Sequence, residues 1–127
     1  IQSEKDIEIS NEEKKMVQIL GWVVDKADFY SKIDILIHPA KREAYGMVIP
    51  EALSRGIPVL CSKECGAAEI IPEGQGDSLM QNEPDHIWVS LVTKLLTNKS
   101  RSDSSYERPW SKVAKEYTEI YRKINFA

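Results

Sequence analysis

The sequence predicts an α/β fold with a Rossmann-like parallel sheet and helices on both faces. Two nearly continuous apolar runs, DILIHP (34–39) and IPVLCS (57–62), are typical of strands buried on both faces of a parallel sheet. Helical patterns alternate with these runs, and such alternation favours parallel pairing. The pattern therefore predicts three or four parallel strands joined by helical crossovers.

The first elements of the chain are a predicted strand and a predicted short helix. MVQILGWV (16–23) indicates a strand that runs into Gly21. Asp25 is placed to cap a helix over 27–33, and Asp28 stands three residues later, as in a partial capping box.

The next predicted helix covers 46–55 and contains Pro50. Proline has no backbone N–H, so it is tolerated near a helix start, where that N–H has no partner anyway. This helix must therefore begin near Gly46 or Met47. Gly56 follows it as a typical C′ residue.

The second half of the chain contains one more strand and three more helices. A short helix is predicted at 66–71 and a weak strand at 77–81. Apolar residues recur at helical spacing in 84–96 and again in 110–124. The polar segment 97–109 between them is predicted to be a loop.

Composition limits the class of protein. The chain has 127 residues, 42% of them hydrophobic and 29% charged, which suits one soluble domain with a real core. The formal net charge of −3 gives no indication of nucleic-acid binding. No apolar run approaches the roughly 18 residues of a membrane span. Because the chain starts at Ile1 without Met, residues 1–127 are expected to be part of a longer protein.

Two cysteines, Cys61 and Cys65, form a C-x3-C pair. Without further cysteines or a nearby histidine, the pair does not match a zinc site. We expect both to be reduced packing residues, as is usual in a cytosolic protein.

The stretch KREAYGMVIPEA (41–52) places a helix start directly after a strand. Ligands of open α/β sheets bind outside the carboxyl ends of the strands, and a helix start there offers free amides to a phosphate. Glu43 and Glu51 flank this start, and carboxylates accept hydrogen bonds from sugar hydroxyls. The pattern suits a nucleotide sugar. The alternative is that Glu43 is a solvated loop charge and Glu51 a charge favoured by the helix dipole.

EAYGMVIPE (43–51) matches the E-x7-E motif of retaining glycosyltransferases with the GT-B fold. The surrounding segments agree in order: GWVVDKADFYSKIDILIHPA, EAYGMVIPEALSRGIPVLCS, CGAAEII and PWSKVAKEYTEIY. The resemblance runs from about Val17 to Tyr121 and points to the C-terminal donor-binding domain of such an enzyme, with its first strands missing. HPAKREAYGMVIPEA most resembles the bacterial lipopolysaccharide-core hexosyltransferases.

The resemblance implies a role for each residue of the motif. Glu43 would contact hydroxyls of the donor sugar at the catalytic centre, and Glu51 would bind the nucleotide ribose. Backbone amides between them would hold the diphosphate. The implied donor-binding set is Glu43, Ala44, Tyr45, Gly46, Met47, Val48 and Glu51.

Five other residues are weaker candidates for the site. Trp22 and Val23 are expected to pack against the base, and Gly66 and Ala67 occupy the position of a glycine-rich turn near the cleft. His38 follows an apolar run at a strand end; its alternative is a packed histidine.

For the whole protein, the resemblance implies retaining transfer of a hexose from a nucleoside diphosphate, with a UDP-hexose as the expected donor. No DxD metal motif is present, and neither a metal nor a cofactor is expected. The acceptor would be a glycan or a lipid-linked, lipopolysaccharide-type molecule, held by an N-terminal domain outside this chain. The part alone is expected to be inactive.

The implied location is the cytoplasm, at the inner face of the membrane, with peripheral association of the full protein. The apolar stripe of 110–124 is expected to be an uncovered domain interface that favours self-association. Two alternatives stay open: a non-catalytic binding or scaffolding α/β domain, and a GT-B epimerase of nucleotide sugars.

Overall fold

The computed structural model describes residues 10–98 and 106–125. The chain divides into two compact units after Ser31. Each unit is described by itself.

The first unit contains a 3-10 helix, Glu13–Lys15, and a short helix α1, Lys26–Ser31. The Asp28 amide donates to Asp25 Oδ1 at 2.9 Å, which confirms the predicted cap. The predicted helix is therefore correct within two residues at each end.

The strand predicted at 16–23 is wrong. These residues are irregular, and most of their large apolar side chains are exposed; Met16, for example, is 80% exposed. A strand needs a paired neighbour, and the ladders of the described residues join only three other segments. Apolar alternation alone therefore could not produce a strand here.

The second unit is built on a parallel sheet of three strands. They are β1 (Leu36–His38), β2 (Val59–Ser62) and β3 (Gly76–Leu79), hydrogen-bonded in the order β1-β2-β3. Leu36 pairs with Val59 and Val59 with Gly76, both in parallel register. The predicted α/β class with a parallel sheet is confirmed, and the weak strand prediction at 77–81 is right to within two residues.

Burial differs between the strands. All four residues of β2 are buried, as predicted for a strand covered on both faces. In β1, however, Ile37 is 46% exposed, so the prediction that 34–39 is buried on both faces is wrong. The reason is position: β2 is paired on both sides, whereas β1 lies at the edge of the described sheet.

The described part of the second unit also contains four helical segments: one between β1 and β2, one between β2 and β3, and two after β3. They are α2 (Val48–Leu53), a 3-10 helix (Gly66–Ile70), α3 (Asp85–Thr97) and α4 (Trp110–Asn125). Helix α2 contacts β1, β2 and the 3-10 helix, while α3 contacts β3. The fully buried core is Ile49, Ala52, Leu53, Val59, Leu60, Cys61, Ser62 and Ala67.

Helix α2 ends at Leu53, two residues before the predicted end at Arg55, and a turn over 54–56 follows it. The Ile57 amide donates to the Ala52 carbonyl at 3.1 Å, and Gly56 adopts a φ of +68°. Only glycine adopts this left-handed conformation without steric cost. The tight end lets the chain turn directly into β2.

Helix α4 is amphipathic, and its apolar side is uncovered by the described residues. Trp110 is 87% exposed and Tyr121 is 61% exposed. Large exposed apolar stripes are uncommon on monomeric proteins. No helix within 10–98 and 106–125 combines the length and apolarity that a membrane crossing requires.

Candidate functional site

The carboxyl end of β1 leads into the candidate site and is hydrogen-bonded to the neighbouring strand β2. His38, the last residue of β1, pairs in register with Cys61. Beyond it, the Ser62 hydroxyl donates to the Ala40 carbonyl, and the Cys65 thiol lies 4.0 Å from the His38 carbonyl oxygen. The turn after β1 is therefore tied to the strand beside it.

The loop 43–45 is held against the start of the second 3-10 helix. Glu43 forms a parallel β-bridge with Cys65. The Gly66 amide donates to the Glu43 carbonyl at 3.3 Å, and the Ala67 amide donates to the Tyr45 carbonyl at 2.8 Å. The structure thus brings Gly66 and Ala67, two of the weaker candidates, against the motif.

The Glu43 side chain is partly exposed and has two neighbours. The Tyr45 amide donates to Oε1 at 3.4 Å, and His38 Nε2 lies 3.9 Å from Oε2. The Glu43 side chain is 37% exposed, so a ligand can reach the carboxylate from solvent. His38, Glu43 and Tyr45 therefore share one small region.

Gly46 is required by both conformation and space. Its φ is +88°, in the left-handed region, and a Cβ there would lie 3.2 Å from Glu43 Cγ. A side chain at this position would therefore strain the backbone and press on the glutamate.

The residues between the two glutamates present free backbone donors. The amides of Gly46, Met47 and Val48 have no acceptor in the part of the chain that the structure describes. Helix α2 begins at Val48, with Pro50 as its third residue, which confirms the prediction drawn from Pro50. Glu51 lies in the first turn of α2 and is half-buried.

Cys61 and Cys65 are buried, free thiols, as expected. Burial, helped by the neighbouring Cys65, raises the pKa of Cys61 to about 12. A thiol is reactive as its thiolate, so Cys61 is inert at neutral pH. Its role is packing rather than chemistry.

Trp22 and Val23 belong to the first unit, in its irregular segment. Trp22 is 89% exposed. The packing of these residues against a nucleotide base stays a prediction.

Sequence reasoning missed Ser62 and Cys65 as supports of the site. Ser62 is fully buried, and its hydroxyl lies 3.5 Å from the Cys65 sulfur while it bonds to Ala40. The available sequence signal was the position of Ser62 at the carboxyl end of a buried strand, next to the end of β1.

A second feature that the sequence did not indicate is a cavity of about 390 Å³. It lies between the second 3-10 helix, β3 and α3, with Asp77, Leu91 and Lys94 among its lining residues. Among the described residues, no group of three or more His, Cys, Asp or Glu side chains is placed to hold a metal ion.

Comparison with known proteins gives one family match. The model of the family described as Glycosyl transferases group 1 matches residues 3–116, which is most of the chain. The match covers most of both units and every residue of the candidate site.

Several individual relatives carry glycosyltransferase names. The chain is 24% identical over 103 residues to D-inositol 3-phosphate glycosyltransferase of Corynebacterium urealyticum, covering 75% of this chain and 24% of that protein. It is 27% identical over 95 residues to lipopolysaccharide glucosyltransferase WaaG of Escherichia coli, covering 75% of this chain and 24% of the relative. It is 34% identical over 93 residues to sulfoquinovosyl transferase SQD2 of Arabidopsis thaliana, covering 72% of this chain and 18% of that protein.

The chain spans about a quarter of the length of the first two relatives. The similarity therefore concerns one part of proteins that are several times longer. The names of these relatives refer to different substrates.

Proposed function

Because the chain belongs to the group 1 glycosyl transferases, we propose that it forms part of the nucleotide-sugar site of a retaining hexosyltransferase with the GT-B fold. The donor is a nucleoside-diphosphate hexose, with UDP as the expected nucleotide. The acceptor is a glycan or a lipopolysaccharide-type lipid, bound by parts of the protein outside this chain. The site works at the cytoplasmic face of the membrane.

One observation carries the proposal: the Glu43 carboxylate, which accepts from the Tyr45 amide, is followed directly along the chain by three consecutive amides, those of Gly46, Met47 and Val48, that have no acceptor among the described residues. The carboxylate accepts hydrogen bonds from sugar hydroxyls, and the amides donate to phosphate oxygens. Both kinds of group follow the carboxyl end of a parallel strand, where α/β proteins bind nucleotides. The arrangement therefore complements a sugar joined to a diphosphate.

In the proposed reaction, the bond between the anomeric carbon and the diphosphate oxygen breaks, and its electron pair leaves with the diphosphate. Donors aimed at the departing oxygens stabilise the charge that develops there. The acceptor hydroxyl then bonds to the anomeric carbon on the same face and passes its proton to the departing diphosphate. Glu43 orients the donor sugar and is not assigned as a nucleophile, while Glu51 holds the ribose.

Calorimetric titration of the chain with UDP, GDP and ADP tests the proposal. We expect weak binding of UDP, with a dissociation constant on the order of 0.1–1 mM, and loss of that binding in Glu51→Ala. Glu119→Ala is the matched control, because Glu119 is an exposed glutamate on α4. Failure of all three nucleotides to bind would contradict the assignment of a donor site to this chain. It would favour the alternative of a non-catalytic α/β domain.

A further inference from the structure

The ring nitrogen Nε2 of His38 is buried without a hydrogen-bond partner among the described residues. A buried polar atom without a partner is unusual and costs free energy. Such atoms in native structures call for a specific explanation, and a position at the edge of a ligand site is one.

The carboxylate of Glu43 lies close to this nitrogen. Nε2 lies 3.9 Å from Oε2, about 0.7 Å beyond the usual upper limit of roughly 3.2 Å for an N–H···O hydrogen bond. Gly46 lies beside the pair, since a Cβ there would be in ordinary van der Waals contact with Nε2, at 3.8 Å. A small rotation of the Glu43 side chain would therefore close the contact.

The backbone on both sides of the pair is fixed. His38 ends β1 in register with Cys61. Glu43 is bridged to Cys65, and its carbonyl accepts from the Gly66 amide. The distance between the two side chains therefore changes mainly through rotation about their side-chain torsions.

We propose that His38 is a positioning residue for Glu43. When the donor binds, the Nε2–H of His38 donates to Oε2 and fixes the carboxylate toward the hydroxyls of the donor sugar. This inference rests on the proposed function. It assigns His38 to the sugar end of the donor rather than to the nucleotide.

The hydrogen-bonding capacity of the carboxylate supports the assignment. A carboxylate accepts about four hydrogen bonds, and Oε1 already accepts one from the Tyr45 amide. A second donor on Oε2 fixes the plane of the group and leaves lone pairs on both oxygens for a ligand. Hydrogen bonds of this kind are often long in the unliganded protein and shorten in the complex.

The experiment compares UDP with UDP-glucose on the chain and its variants. In His38→Leu the affinity for UDP should stay unchanged, while the affinity for UDP-glucose should fall about fivefold, as expected for the loss of one hydrogen bond. His38→Gln carries an amide N–H of similar reach and should restore most of that loss. Glu43→Gln should lose the sugar-dependent affinity, and adding His38→Leu to it should cost nothing further.

The matched control is His86→Leu, which changes an exposed histidine of α3 and should leave both affinities unchanged. Equal loss of UDP and UDP-glucose affinity in His38→Leu, equal loss in His38→Gln and His38→Leu, or additive losses in the double variant would each overturn the inference. If the unmodified chain binds neither compound, the proposed function fails and this inference fails with it. A normal sugar preference that His38→Leu does not alter would contradict the inference alone.

Discussion

Gly66 contacts the carbonyl group of Ala44 so closely that residue 66 has no room for a Cβ atom. The added atom would overlap the Ala44 oxygen and would lie 3.3 Å from Tyr45 Cα. This contact joins the second 3-10 helix to the loop that carries Glu43. A glycine after β2 therefore determines the position of a glutamate after β1.

Gly66→Ala should displace the loop 43–45 and weaken donor binding. Because the neighbouring atoms belong to the backbone, they cannot move aside as a flexible side chain can. We expect a loss of about 1–3 kcal/mol in the free energy of unfolding, measured by denaturant titration, and a lower UDP affinity. Gly74→Ala is the control: an added Cβ there meets no atom within 4 Å, so any cost comes from its positive φ and UDP affinity should not change. Equal UDP affinity in the two variants would contradict the coupling.

Leu60→Ala should be the more destabilising of two apolar truncations. Leu60 is completely buried in the central strand, whereas Ile124 on α4 is 65% exposed. Truncation of a buried leucine costs about 2–5 kcal/mol because it removes buried contacts and leaves a cavity. Ile124→Ala should change the unfolding free energy by less than about 0.5 kcal/mol. Similar losses in both variants would show that α4 is packed against the core.

The stability of the chain should depend on Cys61 at alkaline pH. Its pKa is raised from 9.0 to about 12, chiefly by burial and then by Cys65. The folded state keeps this proton while the unfolded state loses it, so the stabilisation is complete below about pH 9 and is lost as the pH rises toward 12.

The measurement is the difference in thermal midpoint between the wild type and Cys61→Ala at several pH values. The difference cancels the titration of the lysines and tyrosines that both proteins share. The advantage of the wild type should shrink between pH 9 and 11. A constant difference over this range would contradict the raised pKa.

The apolar stripe of α4 should cause self-association of the chain at high concentration. Ile120, Tyr121 and Ile124 are each at least half exposed, and exposed apolar stripes associate. Sedimentation velocity should show a larger species that grows with concentration and decreases in Tyr121→Lys. The control Thr118→Lys adds the same charge to another exposed position of α4. An equal decrease of the larger species in both variants would show that the added charge, and not the loss of an apolar side chain from the stripe, reduces association.

The local part of the fold could be predicted from the sequence. Pro50 indicated where α2 begins, Asp25 caps α1, and Gly56 closes the turn that follows α2, because each effect depends on residues a few positions away. The long periodic helices α3 and α4 were also predicted correctly to within one residue at each end.

Contacts between distant residues could not be predicted in this way. The apolar segment 16–23 is not a strand in the structure, because strand formation depends on a neighbouring strand that the local pattern does not specify. At the site, the motif indicated Glu43. The hydrogen bond from Ser62 to Ala40, 22 residues apart in sequence, depends on the register of two strands. The proximity of His38 to Glu43 depends in the same way on the path of the turn between them.

The most direct test of the central claim is to map where the donor binds, by the backbone amide resonances of the chain during titration with UDP-glucose. The proposed site predicts the largest shifts at Gly46, Met47 and Val48, with smaller shifts at Gly66 and Ala67. Resonances around the cavity lined by Asp77, Leu91 and Lys94 should stay unchanged. Shifts confined to that cavity, or none at all, would contradict the assignment of the donor site to the loop between Glu43 and Glu51.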